Sequence, residues 1–263
     1  KAFEQAAGAE SGAGWAAPAS GTSYHPPISD GPISKHHSGV MTVGGTMSAT
    51  AVLFAIILVT GAIGWNTVST NAAHPHIPAW IIISPIVGFV LVLVSTFKPT
   101  ICRITAPIYA MAEGFFLGAI SGIYNQVYKG IVLQAVGATA AVFAVMLFLY
   151  KTRIIKVTDR FRRIVMGATF GVMIFYGISL LFSAFGHTPS FINQGTGLGI
   201  LISLLVAGLA AFNLALDFDM IERGAAAGAP KYMEWYAALG LTVTIVWLYL
   251  ELLRLLAKLQ QRR

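Results

Sequence analysis

The sequence predicts an all-α polytopic membrane protein with seven transmembrane helices, and three observations carry that prediction. Apolar residues make up 56% of the chain while charged residues make up only 10%. The mean hydropathy is +0.74, far from the balance of a soluble domain. Finally, runs of about 20 mostly apolar residues, the length that crosses a hydrocarbon core of about 30 Å, recur from about residue 40 onward.

The first forty residues are the exception. They are rich in Gly, Ala, Ser and Pro without periodicity, so they bury too little surface to offset the entropy of ordering and are expected to form a flexible cytoplasmic tail. They also lack the apolar core of a cleavable leader, which leaves the first span to act as the insertion signal. Residues 41–263 form one integral membrane domain. Its spans are read as Met41–Trp65, Ile77–Phe97, Ile104–Tyr124, Ile131–Leu149, Val165–Phe182, Leu198–Leu216 and Trp235–Leu256.

Orientation follows from Lys and Arg, which accumulate in cytoplasmic loops. Lys151, Arg153, Lys156, Arg160, Arg162 and Arg163 crowd the segment after span four, whereas Asn66–His76 and Phe185–Gly195 contain neither residue. With Lys1, Lys35, Lys98, Arg103, Arg223 and Lys231 on the same side, only Lys129 opposes them before the last helix. The N-terminus is therefore assigned to the cytoplasm and the membrane to the plasma membrane. Seven full spans then put the C-terminus outside, with Arg254, Lys258, Arg262 and Arg263 on the disfavoured side. A last segment that re-enters is the alternative, and seven spans is the preferred reading. The net charge of +7 is accounted for by topology rather than by a nucleic-acid partner. Cys102, the single cysteine, has no intrachain partner and is expected to be inert.

Small residues recur within the spans, as in Gly61-Ala62-Ile63-Gly64 and from Gly114 to Gly122. They permit close helix approach, although general packing explains each glycine equally well.

Ionisable groups inside lipid are costly, so each is a functional candidate. Glu113 lies nine residues into span three, about 14 Å along it and near mid-bilayer, where desolvation favours a neutral, proton-exchanging carboxyl. A protonated carboxyl that merely bonds a neighbouring helix is the plainer alternative. Asp217, Asp219, Glu222 and Glu234 surround the short loop after span six. Such oxygen ligands attract a hard cation, and Asp217 with Asp219 is the tentative calcium pair. Asp217, nearest the apolar run, is the first candidate for a gating acid. Asp219, Glu222 and Glu234 are read first as interfacial charges paired with Arg223 and Lys231. Glu251 precedes Arg254 by three residues, so an intrahelical ion pair is possible. A straight span seven places Glu251 about 26 Å beyond Glu234, too far for easy contact with Asp217.

Enzymatic chemistry finds no support. His25, His36, His37, His74, His76 and His187 all lie in the tail or loops, away from any intramembrane zinc site. No H-E-x-x-H, G-x-S-x-G or P-loop pattern occurs, and the last span has no lysine before Lys258 for a retinal Schiff base. No cofactor is expected.

The Glu113-Gly114-Phe115-Phe116-Leu117-Gly118 stretch, Leu216-Asp217-Phe218-Asp219-Met220-Ile221-Glu222 and Trp247-Leu248-Tyr249-Leu250-Glu251-Leu252-Leu253-Arg254 together resemble the Bax inhibitor (transmembrane Bax inhibitor motif) family. The likeness is to its bacterial, actinobacterial-like branch, from Met41 to the C-terminus. The resemblance implies six helices around a central seventh and a pH-sensitive calcium leak gated by carboxyls on helices six and seven. By motif, Asp217 matches the helix-six acid and Glu251 the helix-seven acid. A gapless alignment on Leu252-Leu253-Arg254 puts Thr244 at the second position instead, and span two has no arginine to latch such a pair. The leading expectation is a proton-gated cation leak using Asp217 and Glu113, with Glu251 the third candidate. The rival, also implied for parts of the family, is a non-conducting regulator that binds membrane proteases or other membrane proteins.

Overall fold

The computed structural model describes residues 39–69, 78–184 and 196–262. The tail expected over residues 1–40 therefore lies almost wholly outside the described residues, as do His74 to His76 and the Phe185–Gly195 loop. Among the described residues there are seven long helices: α1 (Val43–Ser69), α2 (Ala79–Phe97), α3 (Cys102–Val127), α4 (Ile131–Lys151), α5 (Asp159–Ala184), α6 (Gly197–Ala226) and α7 (Met233–Gln260). All seven are long and apolar enough to cross a membrane, which matches the expected number and order of spans.

Most helices outrun their apolar segments. The basic stretch after α4 was expected to be loop as far as Ile164, but α5 begins at Asp159, where the Thr158 hydroxyl accepts from the Phe161 N–H at 3.2 Å. Likewise α6 continues ten residues past Leu216. Hydropathy marks where lipid ends, whereas backbone hydrogen bonding continues wherever the residues tolerate a helix.

Within lipid every polar group must find a partner, and many of the serines and threonines do so on their own helices. Thr50, Thr60, Thr139 and Thr242 each donate to the carbonyl four residues back at 2.7–2.9 Å. In α2, Pro85 cannot donate to the Ile81 carbonyl, and the Ser84 hydroxyl takes its place at 2.8 Å.

Helix α3 packs along α1 and α2, while α6 and α7 form a second extended pair. Helix α7 also contacts α1, α3 and α4, joining the two groups. Leu53, Ile57, Tyr109, Leu239 and Val246 fill the junction of α1, α3 and α7. Leu214, Phe218, Leu241 and Leu248 fill that of α4, α6 and α7. The lipid-facing flanks are α2 and α5, where Ile82, Ile86, Phe89, Phe170, Ile174 and Leu181 are all more than half exposed. So continuous an apolar surface is what a bilayer, rather than water, would cover.

The α1–α3 contact explains the small residues. A Cβ on Gly118 would collide with the Gly61 carbonyl, and one on Gly64 with the backbone of Phe115. These glycines face one another and set the separation of the two helices.

Helices α6 and α7 run antiparallel over their whole length. At one end Gly240 faces Met220 and Asp217, and at the other the Lys258 ammonium donates to the Gly199 carbonyl at 3.0 Å. A re-entrant last segment is thus replaced by a full-length helix of 28 residues.

Candidate functional site

The acidic residues picked out from sequence do not gather in one place. Asp217 lies twenty residues into α6, about 30 Å from its start, and turns toward α7. Its Oδ1 sits beside Gly240, where an added Cβ would lie 3.7 Å away, and the Thr244 hydroxyl is the polar group facing it. Its Oδ2 is buried without a hydrogen-bond partner. No cation forms an ion pair with it among the described residues.

Asp219, two residues on, points away because a helix turns about 200° over two positions. It is buried and held by Arg162 at 2.7 Å and Arg223 at 2.8 Å. Glu222 pairs with Arg153 at 2.8 Å and accepts from the Tyr150 hydroxyl. Glu234 crosses to the start of α1, where its Oε1 accepts from the Thr42 N–H at 3.0 Å and the Thr42 hydroxyl at 2.9 Å. The same hydroxyl accepts from the Gly45 N–H and so caps α1. The four carboxylates take separate partners, and Asp217 and Asp219 point to different sides of α6. Of the pairings expected with Arg223 and Lys231, that of Arg223 with Asp219 is present, while Glu234 accepts from Thr42.

Glu251 does not meet Asp217. Thr244 occupies the place opposite Asp217, and Glu251 lies seven residues further on, about 10 Å along α7. It is 2% exposed. Its Oε1 accepts from both the Arg254 guanidinium and the Tyr176 hydroxyl at 2.8 Å, and Arg254 also donates to the Tyr176 oxygen at 2.8 Å. The guanidinium stacks over the Tyr176 ring 5.2 Å from its centroid. Glu251 Oε2 is buried and unpartnered.

Lys258 completes this stripe. Its ammonium, on a residue 3% exposed, donates to Gly199 O and to Ser203 Oγ at 2.8 Å. Glu251, Arg254 and Lys258 stand at i, i+3 and i+7, one face of a helix, so this alignment was readable in advance. Their partners Tyr176 and Ser203 were not, being distant in the chain. Two of the four C-terminal cations that opposed the assigned orientation are thus engaged within the bundle rather than free in a loop.

Glu113 is buried midway along α3, beside Gly88 and Tyr109. It forms no ion pair or side-chain hydrogen bond with another described residue. Asp217 and Glu113 are thus, among the described residues, buried carboxyls within the spans that have no compensating cation.

Seven membrane-length helices with uncompensated carboxyls inside them define a multi-pass α-helical membrane protein. A family model described as Bax inhibitor 1 like matches residues 2–261, so the chain belongs to that family. No curated protein and no solved structure matches it.

Proposed function

We propose that the chain is a pH-sensitive cation leak of the plasma membrane, with calcium as the permeant ion, gated by protonation of carboxyls inside the helix bundle. The reading rests chiefly on Asp217, whose Oδ2 is buried without a partner where α6 meets α7. An isolated carboxylate in such surroundings is strained by desolvation, so its protonation and the packing of α6 on α7 are linked. Gly240 and Thr244 oppose it with little bulk, which leaves room for that packing to change. Glu113 is the second proton site. Glu251, already engaged by Arg254 and Tyr176, holds α7 against α5 rather than gating. The basic loop after α4 and the N-terminus face the cytosol in this reading, so Asp217 lies toward the cytosolic end of the path and the C-terminus lies outside.

Purified protein in liposomes loaded with a calcium indicator tests the proposal. Flux should change with pH in the native chain, and Asp217→Asn should remove that dependence. An unaltered pH profile in Asp217→Asn would defeat the gating role. A chain that passes no calcium at any pH would favour the non-conducting regulator instead.

A further inference from the structure

A cavity of about 920 Å³ separates α1 from α4. Helix α1 packs on α3 and α7, and α4 on α6 and α7, so the space between them opens sideways. Leu58 of α1, 71% exposed, and Val136 of α4, 51% exposed, stand among its lining residues. Phe54, Phe143 and Ile245 line it further. From Met47 to Asn66 on α1 the lining spans nineteen residues, about 28 Å, which is close to the hydrocarbon thickness of a bilayer.

Several polar groups in its wall are already spoken for. Ser121 and Tyr249 bond each other at 2.6 Å, and the Thr50 and Thr139 hydroxyls donate within their own helices. The cavity thus presents chiefly apolar surface to an occupant.

One end carries charge. Met47 also lines a smaller recess of about 260 Å³, together with Tyr150, Lys151, Arg153 and Glu222. Arg153 sits in a left-handed turn at φ 58° and keeps its guanidinium 64% exposed while touching Glu222. Two cations against one carboxylate leave the recess positive, and Lys156 and Arg160 follow directly in the chain. An apolar slot open to lipid and ending in a positive recess complements one class of molecule.

We infer that the α1–α4 cavity and its basic recess form a binding site for an anionic phospholipid, acyl chains in the cavity and phosphate against Lys151 and Arg153. Basic recesses between membrane helices attract such headgroups, each Lys or Arg adding a modest increment of affinity. The site stands whether or not the chain conducts ions.

The test titrates the delipidated full chain in mild detergent with phosphatidylglycerol or phosphatidylcholine of identical acyl chains, and reads bound lipid by native mass spectrometry. Phosphatidylglycerol should be retained about thirtyfold more tightly, as expected for two charge contacts. Lys151→Gln with Arg153→Gln should erase that preference while leaving phosphatidylcholine retention unchanged. Ala140→Trp, which fills the cavity from α4, should weaken both lipids, and Val136→Phe serves if that variant fails to fold. Equal retention of the two lipids, or phosphatidylglycerol retention indifferent to the cavity variants, would overturn the inference. So would a rise in retention on deleting residues 1–38, which would make the chain's own N-terminal segment the occupant, or occupancy by a second copy that lipid does not displace.

Discussion

Glu234 and Glu251 stand near opposite ends of α7, and both act on chain far from them in sequence. Glu234 accepts from the backbone and side chain of Thr42, 192 residues earlier. Removing it in Glu234→Ala leaves the Thr42 N–H and hydroxyl without their acceptor and should cost about 1–2 kcal/mol, read as a lower thermal midpoint in detergent. Glu251→Ala is expected to be worse. It strands Arg254 and costs about 3 kcal/mol, while Glu251→Gln keeps an acceptor for Tyr176 and should lose less in the same melt. A melt in which Gln and Ala behave alike would contradict the ion pair's importance. The contact between Glu251 and Arg254 was legible at i and i+3. Tyr176, Lys258's partner Ser203, and Glu234's partner Thr42 were not, because helical spacing tells which residues share a face and not which neighbouring helix that face meets.

Between α1 and α3 the decisive quantity is backbone separation. Gly118 faces the Gly61 carbonyl and Gly64 faces Phe115 so closely that neither tolerates a Cβ without movement. Gly118→Val should force the helices apart at a cost of about 2 kcal/mol, whereas Gly137→Val on α4, where nothing lies within 4 Å of an added Cβ, should leave the thermal midpoint nearly unchanged. Equal effects would mean that the close approach is incidental. The small-residue segments of both helices were visible in the sequence, yet nothing in either one named the other. Helix ends were less legible than helix centres for a related reason. Apolar content reports immersion in lipid, so the charged extension Asp159–Ile164 of α5 falls outside the span that hydropathy marks, although its backbone is helical.

The seven membrane-length helices among the described residues are an odd number, so the assigned orientation predicts opposite sides for the two ends of the described bundle. With the basic loop in the cytosol, a cysteine at Gln261 should react with a membrane-impermeant thiol reagent applied outside intact cells, and one at Thr158 should not. Cys102 is buried beneath Ser95 and Thr105 and should stay silent. The reverse labelling pattern would invert the orientation. The number of crossings was plain from hydropathy, whereas the unequal roles of the carboxyls depended on which helices stand side by side.

The knot of contacts at the start of α1 also bears on how the molecule is made. Met41 N–H bonds Ala229 O at 2.7 Å, Lys231 N–H bonds Gly39 O at 3.0 Å, and Glu234 closes the same corner. The entrance to α1 is therefore finished only when the segment from Ala229 to Glu234, ahead of and at the start of α7, has been made. A nascent chain halted before Ala229 thus holds an α1 whose beginning is still open.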